Sequence, residues 1–162
     1  MLGGFVFTAE RDTITGAEAL ADPFGDRVRL ARGFLTVPGL AATITDSHFS
    51  ERERLGRLLV FGARTLADGW ATEVRGIGID EGAAVLVEPG GAATVRGVGA
   101  AWFLRMRLDD VVVCAPGEPL ETGPIEALAV PAGKTFDVGT WSGDGEPHTV
   151  TARDGSVRRG DG

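Results

Sequence analysis

His48 stands in the run Asp46-Ser47-His48-Phe49-Ser50, and the acidic pair Asp80-Glu81 follows after Gly76-Ile77-Gly78-Ile79. An imidazole held by a carboxylate at one ring nitrogen keeps the other nitrogen free as a general base. That is two-thirds of a nucleophile-histidine-acid triad, in which the acid fixes the tautomer and steadies the imidazolium. Arg52, Arg54 and Arg57 come next. Cations in the first turns of a helix oppose its macrodipole, at about 0.3–1 kcal/mol each, so they answer a nearby anion. Two answers stay open: an internal partner among Asp46, Glu53 and Glu81, or a substrate carboxylate received at Arg52, one turn after His48. For His48 the alternative to catalysis is a satisfied surface or core histidine.

The elements that must position these groups are well signalled. Residues 42–45 are β-branched and bounded by turn residues, which predicts a short buried strand. Ser50 with Glu53 three residues on has capping-box spacing, and Leu55, Leu58, Leu59, Gly62 and Leu66 then form one apolar helical face ending near Asp68-Gly69. Residues 74–79 read as a second buried strand. Strand, helix, strand at this length is a βαβ unit with parallel strands. Side chains at the carboxyl ends of such strands, roughly 4.8 Å apart, enter one crevice, so His48 and Asp80-Glu81 leave the sheet at the same edge.

Elsewhere, residues 1–9 read as the remnant of a helix, residues 15–21 as a short helix stopped by Asp22-Pro23, and residues 27–35 as an extended segment. Residues 84–88 and 92–98 form a predicted hairpin around Pro89-Gly90-Gly91, with strands at 101–104 and 111–114. Residues 125–130 and 135–138 suggest an antiparallel pair joined by Pro131-Ala132-Gly133. Residues 152–162 have little to bury and read as a disordered tail, leaving residues 1–151 as one α/β domain. A net charge of −7 without a basic run argues against nucleic acid. A lone Cys114 makes no intrachain disulfide, so a cytoplasmic location is the simpler expectation. No apolar run is long enough to span a bilayer, so no membrane is expected as a partner, and nothing suggests a cofactor or metal site.

Two motifs then combine. Asp46-x-His48-Phe49-x-x-Arg52-x-Arg54-Leu55-x-Arg57-Leu58-Leu59, followed by Gly76-Ile77-Gly78-Ile79-Asp80-Glu81-x-x-Ala84, resembles the signature of cyanophycinase and its relatives. These are serine peptidases of a class I glutamine amidotransferase-like fold, and the resemblance covers nearly the whole chain. It implies an α/β fold: a partial flavodoxin-like or class I glutamine amidotransferase-like parallel sheet with C-terminal antiparallel β-hairpins. It also implies that His48 and Glu81 are catalytic, that Asp46, Arg52 and Arg57 line the substrate site, and that the substrate is a β-linked aspartyl peptide. Ser47 stands where cyanophycinases commonly carry glutamine, which favours a relative of different peptide preference.

The family's nucleophile lies in a G-x-S-x-G elbow upstream of the histidine, and this sequence contains no such motif. The opening Met1-Leu2-Gly3-Gly4 resembles the helix that comes after the elbow. The chain is therefore expected to be the C-terminal half of such an enzyme, completed by a separate N-terminal chain or paired as a homodimer. Ser50 is expected to be a helix cap, Ser47 to point away from its neighbour, and Ser142 and Ser156 to lie in glycine-rich loops. Cys114 after three valines reads as a small buried hydrophobe, with a thiol nucleophile as the rarer alternative. His148 reads as a surface residue. A non-catalytic crevice for an acidic peptide or a partner chain is the competing reading.

Overall fold

A computed structural model describes residues 3–33 and 35–161. Met1 and Leu2, inside the predicted helix remnant, and Phe34, inside the predicted 27–35 segment, lie outside them. The chain runs β1 (Phe5–Phe7), α1 (Gly16–Ala21), β2 (Leu30–Arg32), β3 (Thr43–Ser47), α2 (Leu55–Ala67), β4 (Glu73–Ile79), β5 (Ala83–Val87), β6 (Ala92–Gly97) and β7 (Ala100–Arg107). It continues through β8 (Val111–Val113), β9 (Glu121–Thr122), β10 (Ile125–Pro131), β11 (Thr135–Asp137), β12 (Ser142–Gly143), β13 (Glu146–Arg153) and β14 (Ser156–Asp161).

The principal sheet has the order β14-β13-β10-β7-β4-β3. β3 and β4 pair in parallel, Thr43 opposite Arg75 and Ser47 opposite Ile79, as the βαβ pattern predicts. Every other pairing in this sheet is antiparallel. The expected flavodoxin-like or class I glutamine amidotransferase-like parallel sheet is therefore not formed; the fold is a mixed, mostly antiparallel β structure. The cause lies in the chain just after β4. A parallel return needs a crossover, usually a helix, and the segment from Ala83 to Gly97 is instead a Val- and Thr-bearing hairpin that hands the chain back beside β4 in the opposite direction.

Two apolar layers flank this sheet. On one face α2 buries Leu55, Leu58, Leu59 and Leu66 against Val74, Trp102, Leu104 and Met106, the face that the helical spacing predicts. On the other face a second sheet, β12-β11-β6-β5, encloses Ile77, Ala101 and Phe103 with Val95, Phe136 and Val138. The period-two alternation of β7 serves both layers: Trp102, Leu104 and Met106 face the helix, and Ala101 and Phe103 face the second sheet.

Three other expectations change. Residues 5–7 form a strand, not helix: β1 pairs antiparallel with β2, and Phe7 stacks on Phe61 of α2 with ring centroids 4.8 Å apart. β10 and β11 do not pair with each other. At Pro131-Ala132-Gly133 the chain leaves the principal sheet, and β11 joins β6, because Phe136 and Val138 complete the core between the two sheets. The predicted disordered tail is β structure as far as Asp161, with β14 paired to β13 through Asp154 and Gly155 at φ 51° and 68°, and Gly162 lies outside the described residues. Two consecutive positive φ values at Asp-Gly make the tight hairpin turn whose twist suits the flanking strands.

Candidate functional site

The site lies at the carboxyl ends of β3 and β4. Asp46, the last buried residue of β3, accepts from Arg57 Nε at 2.6 Å and from Arg57 Nη2, and its Oδ1 also accepts from Ser47 N at 2.9 Å. Arg57 donates through Nη1 to Thr13 Oγ1 and the Ile14 carbonyl, both at 3.2 Å. Asp46 is 1% exposed and Arg57 3%. Their forked pairing is thus inside the molecule, and neither group is presented to solvent as the substrate-lining expectation requires. Of the anions considered for the arginines, Asp46 is the one that answers Arg54 and Arg57.

The helix starts later than the Ser50–Glu53 spacing implies. α2 begins at Leu55 behind Arg54, and residues 48–54 form turns. The capping box fails because its groups are engaged elsewhere: Ser50 N donates to Asp80 Oδ1 at 3.1 Å, and Glu53 sits at φ 48°. A true capping box forms at Thr15 and Glu18 of α1. Arg54 Nη1 donates to the Ser47 carbonyl at 2.6 Å and approaches Asp46 Oδ1 at 3.3 Å. Burial, followed by repulsion from Arg57, lowers the pKa of Arg54, against the opposing pull of Asp46.

His48 itself has φ 49°, a left-handed conformation unusual for a residue with a side chain. Phe49 turns inward to 1% exposure over Gly78, and its N–H donates to the Ile79 carbonyl at 3.1 Å. That inward turn leaves the imidazole at the surface. His48 Nδ1 lies 3.1 Å from Glu81 Oε2, with side-chain exposures of 38% and 64%. Nδ1 nevertheless has no hydrogen-bond partner, so the carboxylate sits at ion-pair distance but off the N–H direction. Such hydrogen bonds often tighten only when a ligand is bound.

Asp80 and Glu81 divide their roles. Asp80 is 9% exposed and joins the Ser50 amide to the Ala100 amide, at 3.1 and 3.0 Å. It ties the His48 loop to β7, while Glu81 alone reaches the imidazole. Arg52 is exposed beside them, and its N–H donates to the His48 carbonyl at 3.2 Å. Both β3 and β5 are sheet edges, and a groove of about 250 Å³ opens between them, walled by Leu40, Thr45, Asp46, Ser47, Ile77, Ile79, Val85 and Val87.

No protein-family model and no curated protein matches the chain. Its chemistry has to be read from the residues. Ser142 hydrogen-bonds Thr140 in the second sheet, and Ser156 opens β14 in the far hairpin. Cys114 packs on the helix-side core, where burial raises its thiol pKa to about 11. It is a protonated, inert thiol at neutral pH. His148, expected at the surface, is a strand residue of β13 stacked on Trp102 at 5.0 Å. No group of three His, Cys, Asp or Glu side chains among the described residues is arranged to hold a metal ion, and no helix among them is long and apolar enough to cross a membrane. The residue that sequence reasoning undervalued is Arg54, whose even spacing with Arg52 carries no sign that its side chain folds back on the strand.

Proposed function

We propose that His48 and Glu81 are the base and the acid of a cyanophycinase-like serine-type amide hydrolase acting on β-linked aspartyl peptides in the cytoplasm. The serine is supplied by another polypeptide segment, such as a separate N-terminal chain. The reading rests on one observation above the others: the imidazole and the Glu81 carboxylate meet at 3.1 Å at the ends of adjacent parallel strands. In this mechanism His48 Nε2 takes the serine proton as Oγ attacks the scissile carbonyl. Glu81 steadies the imidazolium, and the same proton passes to the leaving amine. Water then attacks the acyl-enzyme with His48 again as base. Arg52, exposed next to the dyad, receives the aspartyl carboxylate.

The test is labelling with a serine-directed fluorophosphonate on protein isolated from its native cells, with every segment and partner it carries there. The expected result is covalent labelling of a serine that is lost on His48→Ala. No labelling of that material overturns the reading. A second reading is favoured by Cys114 being protonated and by Ser142 and Ser156 lying in other elements: the crevice binds acidic peptides without cleaving them. Aspartyl-peptide binding that weakens on Arg52→Ala, with no hydrolysis, selects it.

A further inference from the structure

The loop from His48 to Arg54 holds two non-glycine residues in the left-handed region, His48 at φ 49° and Glu53 at φ 48°. Such conformations persist where the surroundings over-determine them. The φ of His48 is a rotation between its own Cα and the peptide plane that links it to Ser47. That plane is held at its carbonyl, where Arg54 Nη1 donates to Ser47 O at 2.6 Å, and the plane before it is held by Asp46 Oδ1, which accepts from the Ser47 N–H at 2.9 Å. Arg54 also closes the loop by its backbone, its N–H donating to the Phe49 carbonyl at 2.9 Å.

From this geometry we infer that Arg54 is a positioning residue: it fixes the Ser47–His48 peptide plane and so holds the imidazole beside Glu81 before any ligand arrives. The inference rests on the hydrolase reading for what the imidazole does, and on the structure alone for how it is held. The division of labour between the half-buried Arg54 and the buried Arg57 supports it. Arg57 satisfies both oxygens of Asp46 in a fork, so Asp46 does not need Arg54 as its counter-ion. The Arg54 contact with Asp46 is the longer one, at 3.3 Å, and its short contact is with the carbonyl next to His48. Its side chain is only 13% exposed, so it is not presented as a substrate-binding cation.

Imidazole nitrogen NMR tests this without any hydrolysis, and the chain carries only two histidines, so His148 is an internal control. Glu81→Gln serves as the ruler. In the parent protein it moves the His48 nitrogen shifts at neutral pH and leaves those of His148 in place. In an Arg54→Met background the same step is expected to move His48 at least twofold less, with the far-ultraviolet circular dichroism unchanged. Arg54→Lys keeps a cation near Asp46 but replaces the rigid planar guanidinium with a strongly hydrated ammonium on a flexible stem, which does not fix the Ser47 carbonyl in one direction. It is expected to keep the fold and still lose at least half of the Glu81 effect, and it decides the matter alone if Arg54→Met does not fold. An undiminished Glu81 effect in either folded variant overturns the positioning role. That outcome leaves the fluorophosphonate test unaffected, and a failed fluorophosphonate test leaves the imidazole measurement standing.

Discussion

Gly78 is where the loop that carries His48 is most exposed to a single-atom perturbation. A Cβ on Gly78 would fall within 2.5 Å of Phe49 Cε2 and nearer still to Cγ and Cδ2. The ring has little room to retreat. Phe49 is 1% exposed, its N–H and carbonyl are bonded to Ile79 and Arg54, and Trp102 lies 6.3 Å away, centroid to centroid. Overpacking a well-filled core costs about 1–3 kcal/mol, and a pinned aromatic ring places Gly78→Ala at about 3. Replacing a strand glycine returns about 0.5–1 kcal/mol of backbone entropy. The net loss is about 2–2.5 kcal/mol, or a fall in Tm of about 4–10 °C for a chain of this size. Thermal denaturation followed by circular dichroism reads it. The decisive comparison is a Phe49→Ala background, where the clash is gone and Gly78→Ala should become neutral or stabilising, a coupling of about 3 kcal/mol. An equal loss in both backgrounds refutes the steric argument. Gly76→Ala is the contrast: its nearest neighbour is Leu58 Cδ2 at 3.2 Å, the end of a flexible side chain, so its cost should stay within about 1 kcal/mol.

Arg57→Met leaves the buried Asp46 with the Ser47 amide and the longer Arg54 contact and is expected to cost about 3–5 kcal/mol in urea denaturation; a loss below about 1 kcal/mol would contradict the buried-pair assignment. Cys114, with its thiol raised to about 11 by burial, should react with iodoacetamide at pH 7.5 at least tenfold more slowly than the unfolded chain and accelerate as pH approaches that value. Because its folded pKa is raised, the associated stability is present below about 9 and lost as pH rises through about 11, which a denaturation series in pH detects by comparison with Cys114→Ala. Glu18 behaves oppositely: its bond from Arg27, then those from Thr15, lower its pKa to about 2, so its contribution is present above its ordinary value of 4.5 and lost as pH falls through about 2. Glu18→Gln should therefore flatten the acid limb of the stability profile, and an unchanged limb would exclude the pairing.

What the chain reveals by itself is local. The apolar spacing of Leu55, Leu58, Leu59 and Leu66 marks the helix face, and the β-branched runs around Ile44 and Ile77 mark the two parallel strands, because periodicity is imposed on neighbouring residues by the backbone. Those two strands and the helix suffice to put His48 and Glu81 at one sheet edge. The Asp154-Gly155 turn is equally legible as a hairpin signal, though the polar residues after it read as a tail.

Tertiary structure decided the rest, since it depends on contacts that no local pattern records. Which strand lies on the far side of β4, and in which direction, is settled by the hairpin excursion between them, which makes the β4–β7 pairing antiparallel beside the parallel β3–β4 pair. The split of β10 and β11 between two sheets depends on Phe136 finding Phe103, 33 positions away, with rings 3.7 Å apart. The same holds for charge. Arg52, Arg54 and Arg57 are alike in sequence, and only the folded chain turns Arg57 inward to Asp46, bends Arg54 back to Ser47 and leaves Arg52 in solvent. A buried cation must find its partners before it can leave water, and those partners are set by the fold and not by the spacing.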